Sequence, residues 1–141
     1  MSLRNAAHRA TLHYDNALGE AGITVTMYRL LKRVDALETP SLTNMAASMG
    51  LDRSTLGRNV RVLEKQGLIR MEAGKDSRMA VARLTEAGRE TLEKAHPLWA
   101  KAQAEMSELL GPEPEKILAV LARLGNPEMQ DNDIVWQGGR T

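Results

Sequence analysis

Apolar residues recur along the chain first at helical spacing, then briefly in extended runs, then at helical spacing again. Leu3, Ala7, Ala10, Tyr14 and Leu18 form one stripe, which predicts a first helix over Leu3–Leu18 that Gly19 and Gly22 end. Met27, Leu30, Leu31, Val34 and Leu37 give the buried face of a second helix with Thr24 as its N-cap. Thr39-Pro40 breaks the chain after it, because proline disfavours helix in the residue before it. Two short helices follow. Ser41 caps the first, with Leu42, Met45, Ala46 and Met49 inward, and Asp52 caps the second, which runs to about Gln66 and stops at Gly67. Only Gly50-Leu51 separates them, the pattern of a helix-turn-helix.

After Gly67 the period changes. Leu68–Glu72 and Met79–Leu84 are strand candidates around a turn-like Ala73-Gly74-Lys75-Asp76, together a β-hairpin with a basic tip. Thr85 then caps a long helix reaching about Leu110. Its Leu92, Ala95, Trp99, Ala102, Met106 and Leu109 alternate at spacings of three and four, an a/d seam suited to a partner helix or to the chain's own core. Pro97 inside it removes one hydrogen bond and is expected to bend the helix without ending it. Gly111-Pro112 ends it. A last helix over Glu113–Leu124 carries Ile117, Leu118, Leu121 and Leu124 on one face, with Glu113 and Glu115 at its positive end and Arg123 at its negative end. Residues 126–141 read as a loose tail, in which Ile134, Val135 and Trp136 offer apolar groups for docking. The expected fold is mainly α with a small β-hairpin wing.

Composition narrows the classes. With 43% hydrophobic and 26% charged residues, the 141-residue chain is expected to pack as one domain. No run approaches the roughly 20 apolar residues of a membrane span, and no charged-then-apolar leader is legible, so a cytoplasmic protein is expected. The absence of cysteine removes disulfides, thiolate chemistry and the common zinc patterns. Charge is uneven: Ser41–Leu84 holds 8 basic and 4 acidic residues, a local +4 in a chain whose total is +1, leaving −3 elsewhere. A basic middle suits a polyanion.

Most of that basic charge falls on two features. On a wheel of about 100° per residue, the helix from Arg53 to Gln66 sets Leu56, Val60 and Leu63 on one side. Ser54, Arg58, Arg61 and Lys65 lie opposite. A row of charges on a lone helix ordinarily means a solvated face. Behind a short helix and a tight turn, the same row is a set of donors shaped for the major groove, where arginine makes two parallel bonds to guanine. The hairpin tip carries Lys75 and Arg78. An arginine on a wing can enter a narrow minor groove, and Asp76 is spaced to orient Arg78. The plainer alternative for that pair is a weak surface ion pair.

The run Leu51–Arg70, the Asp76-Ser-Arg78 triplet, the Leu84-Thr-Glu-Ala-Gly88 segment and Gly22-Ile-Thr-Val-Thr26 together resemble the MarR family of winged helix-turn-helix regulators. The resemblance spans roughly Ala6 to Leu110. It implies a homodimer on a pseudo-palindromic promoter site, usually a repressor. Its recognition residues would be Ser54, Thr55, Arg58, Asn59 and Arg61, and its wing arginine Arg78. Ser41 and Thr43, at a helix N-terminus, would suit phosphate contacts. The first and last helices would dimerise, through Leu3, Ala7, Ala10 and Tyr14 at one end and Leu118 and Leu121 at the other, beside the seam Leu92 to Leu109. The organisation expected is therefore a dimerisation helix (1–22), a DNA-binding region (23–84), further dimerisation helices (85–125) and the tail (126–141).

Many members of that family respond to a small molecule held between the dimer helices and the winged domain. Here Tyr14, Met27, Leu31, Met45 and Trp99 are the candidate lining, although methionines at such spacing are more often simply core. The family's cysteine-based oxidant sensing has no residue to act through. His8, His13 and His96 form no metal pattern, and no cofactor is expected. No phosphate loop or nucleophile–base pair suggests an enzyme. The competing reading is a winged helix that binds protein, for which the exposed Val62 beside the arginine row is the one hint.

Overall fold

A computed structural model of the chain describes residues 2–37, 41–74 and 80–125. Helix α1 spans Leu3–Leu18, capped by the Ser2 hydroxyl, which accepts the Asn5 N–H. A short 3-10 turn, Gly19–Ala21, leads to α2, Val25–Ala36. Thr24 caps α2 as expected. Asp15 on α1 also reaches it, accepting the Val25 N–H at 2.8 Å, so one orphan amide of α2 is satisfied from the preceding helix.

Helices α3, Leu42–Met49, and α4, Arg53–Lys65, are joined at Gly50, whose φ of 64° is one that side-chain-bearing residues avoid. Strands β1, Ile69–Ala73, and β2, Ala80–Leu84, pair antiparallel from Ile69↔Leu84 to Ala73↔Ala80. A bridge ties Ser41 to Val81, so the residue that caps α3 lies against the hairpin. Helix α5, Glu86–Leu110, continues through Pro97, and α6 spans Pro114–Leu124. The last helix starts one residue later than expected, because Pro114 takes the first helical position and Glu113 the cap. The anticipated break at Thr39-Pro40 and the tail 126–141 lie outside the described residues.

The chain divides into two compact units, the first ending at Gln103 and the second beginning at Ala104. The physical reason lies in burial. The core is built from Leu18, Tyr28, Leu30, Leu31, Met45, Leu56, Leu63 and Ile69, which are almost wholly enclosed, and Ala95 and Ala102 extend burial along α5. Beyond Ala102 no described residue is buried. The a/d seam is thereby divided. Leu92, Ala95 and Trp99 pack on the chain's own core, while Leu109 is 78% exposed.

The first strand starts one residue later than its apolar pattern predicts, because Leu68 is engaged on both sides. Its N–H closes the C-terminal turn of α4 on Leu63 (2.9 Å), and its carbonyl accepts the Thr85 N–H (3.1 Å). The Thr85 hydroxyl donates to the Gly67 carbonyl at 2.6 Å and accepts the Gly88 N–H at 3.0 Å, capping α5. Gly88 is buried there, and a Cβ on it would stand 2.0 Å from the Leu68 carbonyl oxygen, so the position requires glycine. This is the physical content of the Leu84-Thr-Glu-Ala-Gly88 segment: it sets the start of α5 against the end of α4.

Two glycine substitutions should therefore act in opposite directions. Gly88→Ala is expected to lower stability by about 1–3 kcal/mol, since the obstructing atom is backbone. Gly57→Ala, where an added Cβ meets nothing within 4 Å, should raise it by about 0.5–1 kcal/mol. Urea unfolding reads both as shifts in midpoint at constant slope.

Candidate nucleic-acid interface

Leu56, Val60 and Leu63 anchor α4 in the core. Each contributes roughly 1.5–3 kcal/mol by leaving water, which fixes the rotation of the helix about its axis. The opposite face is then necessarily outward: Ser54, Arg58, Arg61 and Lys65 are exposed, and Thr55 and Asn59 half-buried beside them. Val62 is 46% exposed on the same side. Helix α3 packs behind α4, so the sequence-derived row occurs in a helix-turn-helix and not on an isolated helix.

The N-terminal turn of α4 holds a linked set of polar groups. The Ser54 hydroxyl donates to Asp52 Oδ2 at 2.7 Å, and Arg58 Nη2 donates to Thr55 Oγ1 at 3.3 Å. Hydrogen bonds from the side chains of Thr55 and then Ser54, with a further contribution from the Arg58 charge, hold the exposed Asp52 carboxyl below the usual aspartate range. Three of the expected base-reading side chains are thus pre-arranged around one carboxylate. The Asp-x-Ser-Thr-x-x-Arg spacing carries this signal in the sequence, beside that of the helix cap.

The remaining expected contacts are placed differently. Ser41 is 3% exposed; its hydroxyl accepts the Asn44 N–H at 3.1 Å and its backbone bridges Val81. It is a cap and a tether, and at this helix start the exposed residues are Thr43 and Asn44. Lys75, Asp76 and Arg78 lie outside the described residues.

Of the expected effector lining, Met27, Leu31 and Met45 are buried in the packed core. The Tyr14 hydroxyl donates to Gln103 Oε1 at 2.5 Å, and burial raises the Tyr14 pKa. An open cleft lies elsewhere, a cavity of about 430 Å³ between α2 and α5 lined by Tyr28, Lys32, Asp35, Ala36, Leu92, Glu93 and His96. Trp99 stacks on Tyr28 beside it at 5.7 Å, Lys32 Nζ sits 5.2 Å from the Trp99 ring centre, and the Tyr28 hydroxyl pairs with His96 Nδ1 at 3.0 Å. Burial also raises the Tyr28 pKa. Tyr28, Lys32 and Ala36 on α2, and Leu92 and His96 on α5, follow at steps of four, a pattern that reveals a cleft only once the two helices are packed together.

Among the described residues no helix is long and apolar enough to cross a membrane, and no group of three or more acidic, histidine or cysteine residues is placed to hold a metal.

A helix-turn-helix with an exposed donor row and a following hairpin defines a winged helix-turn-helix protein. The comparisons make this specific. The model of the MarR family matches residues 23–81. The HTH-type transcriptional regulator BilQ of Clostridium symbiosum (strain WAL-14163) is 30% identical over 117 residues, covering 82% of this chain and 81% of BilQ. The crystal structure of the M. tuberculosis transcriptional regulator MosR in complex with DNA superposes with a TM-score of 0.79 at 37% identity, over 86% of this chain and 89% of that one. The transcriptional repressor CouR bound to a 23-mer DNA duplex does so with a TM-score of 0.79 at 26% identity, over 88% and 89%. The chain belongs to the MarR family. It is a member of a family of transcription regulators.

The polar set at the start of α4 has a titration consequence. Because the folded-state pKa of Asp52 is depressed, its contribution to stability is complete above the ordinary aspartate value and is lost as pH falls through the folded value. A carboxyl-carbon NMR titration should place Asp52 below a free aspartate, and Thr55→Val should move it back up. A wild-type midpoint at or above the free value would contradict the arrangement.

Proposed function

We propose that this chain is a cytoplasmic regulator that reads a pseudo-palindromic operator as a homodimer and represses by occupying it. The observation that supports this best is the exposed row Ser54, Arg58, Arg61 and Lys65, set opposite the buried Leu56, Val60 and Leu63. In this reading Arg58 and Arg61 reach base edges in the major groove, with Ser54, Thr55 and Asn59 around them. Lys65 and Thr43 meet phosphates. Ser41 positions α3. Lys75 and Arg78 take the adjacent minor groove, with Asp76 orienting Arg78. On DNA binding, Asp52 releases the hydroxyls of Ser54 and Thr55 to the nucleic acid.

Dimerisation falls to the apolar groups that one protomer leaves in water. On α6, Ile117, Leu118, Val120, Leu121 and Leu124 are 40–55% exposed; on α1, Leu3 is 67% exposed, and Leu109 ends the seam. Exposed apolar faces of this kind mark protein contacts. Ala7 and Ala10 lie with Leu3, and Met106 and Ala102 with Leu109. A small-molecule effector, where one acts, has its place in the cleft of Tyr28, Lys32, Leu92 and His96, with Trp99 as its wall. No enzymatic step is assigned to the chain.

Fluorescence anisotropy with a duplex from the protein's own promoter against a scrambled one tests the DNA-reading assignment. Tight, promoter-preferring binding that weakens steeply with salt is expected. Arg58→Ala should cost about 1–3 kcal/mol and relax sequence preference. Lys65→Ala should weaken both duplexes alike and reduce the salt slope by about 1. Failure to bind any duplex at low salt would favour the protein-binding alternative.

Sedimentation tests the dimer independently. The wild-type chain should be a dimer at micromolar concentration, and Leu118→Glu with Leu121→Glu should yield a folded monomer. A monomeric wild type would end the two-fold model.

A further inference from the structure

The cleft between α2 and α5 has a lining that selects among ligands by charge. At about 430 Å³ it falls within the roughly 300–1,000 Å³ usual for small-molecule sites. Leu92 and Ala36 give it apolar surface, and the stacked rings of Tyr28 and Trp99 form an aromatic wall. The Tyr28 hydroxyl is engaged by His96 Nδ1 at 3.0 Å, which leaves the ring as the part of Tyr28 open to a ligand. The charged groups of the lining are the Lys32 ammonium and the carboxylates of Asp35, on α2, and Glu93, on α5.

The position of Lys32 reveals what the wall attracts. Asp35 follows it by three residues on the exposed side of α2, the spacing of an ordinary helical ion pair. That pair is not among the ion pairs of the described residues. The Lys32 ammonium lies instead 5.6 Å from the Tyr28 ring centre and 5.2 Å from that of Trp99, within cation–π range of both. Glu93, like Asp35, is exposed and has no ion pair among the described residues. One surface therefore holds a cation over two rings and keeps two unengaged carboxylates on facing helices. The three charges leave the lining at a net −1, which one further cation brings to zero and a carboxylate would double.

We propose that this cleft binds an organic amine, an ammonium group carried on an apolar, preferably aromatic, body. The inference rests on the reading of the cleft as the effector site and names the chemical class that site takes. The ammonium of the ligand replaces that of Lys32 at the Tyr28–Trp99 wall, between Asp35 and Glu93, and the body lies on Leu92 and Ala36. Lys32 is exposed and leaves the wall without disturbing the core. One cation is exchanged for another there, and the ligand adds the burial of its apolar body, which Lys32 does not bring.

Phenethylamine and hydrocinnamate are the probes, since they share a ring and a two-carbon spacer and differ in the sign of their charge. Each is titrated into the full chain at neutral pH and constant ionic strength and followed by ¹H–¹⁵N NMR. Saturable shifts centred on the Trp99 indole and the amides of Lys32 and Glu93 are expected with the amine, which should bind at least about tenfold more tightly than the acid. Asp35→Asn and Glu93→Gln should each weaken the amine about threefold, and Lys32→Met, by removing the resident cation, should tighten it by a similar factor. Preference for hydrocinnamate at the same residues, with its binding lost in Lys32→Met, would overturn the proposal and keep the cleft as a small-molecule site. Saturation by neither probe, or shifts centred outside α2 and α5, would overturn the proposal together with the effector reading. Amine binding in the cleft that leaves promoter affinity unchanged would support the site and end only its role in controlling DNA binding.

Discussion

The Leu68 carbonyl oxygen joins the end of α4 to the start of α5, and the placement of both depends on it. It receives the Thr85 N–H while Gly88 passes so close that no side chain fits. The Thr85 hydroxyl closes the same junction from the other side, through the Gly67 carbonyl. A backbone acceptor approached by a helix turn tolerates little displacement, since buried backbone groups must keep their partners. The core then sets the rotation of α4 through Leu56, Val60 and Leu63. With the end of the helix and its rotation both fixed, the outward row has no freedom in direction.

At the start of α4, Asp52 gathers Ser54 and Thr55, and Arg58 joins them through Thr55, so side-chain entropy is spent before any ligand arrives. Such an arrangement suits a site that must present a defined set of polar groups.

The helices were largely legible because long amphipathic stripes and caps act locally. Leu3–Leu18 appears with the bounds its pattern predicts, and Thr24 and Ser41 cap as expected. The row on α4 was legible for the same reason. What could not be read depends on packing across elements. Met27, Leu31 and Met45 have the chemistry of a pocket lining, yet they are close-packed, and the open cleft is formed by residues that look like ordinary surface positions on two separate helices. Ser41 has the right residue type for a phosphate contact, but its bridge to Val81 buries it. The seam on α5 reads as one continuous stripe, whereas the core absorbs only its first half. Periodicity identifies an apolar face without revealing what covers it.

The central claim is that α4 presents the surface that meets DNA. Amide hydrogen exchange of the full chain, with and without a duplex from its own promoter, tests this most directly. The account predicts slowed exchange centred on Asp52–Lys65 and on the hairpin, with the outward faces of α2 and α6 unchanged by DNA. Protection centred on α2 or α6, with α4 exchanging at the same rate in both states, would contradict it.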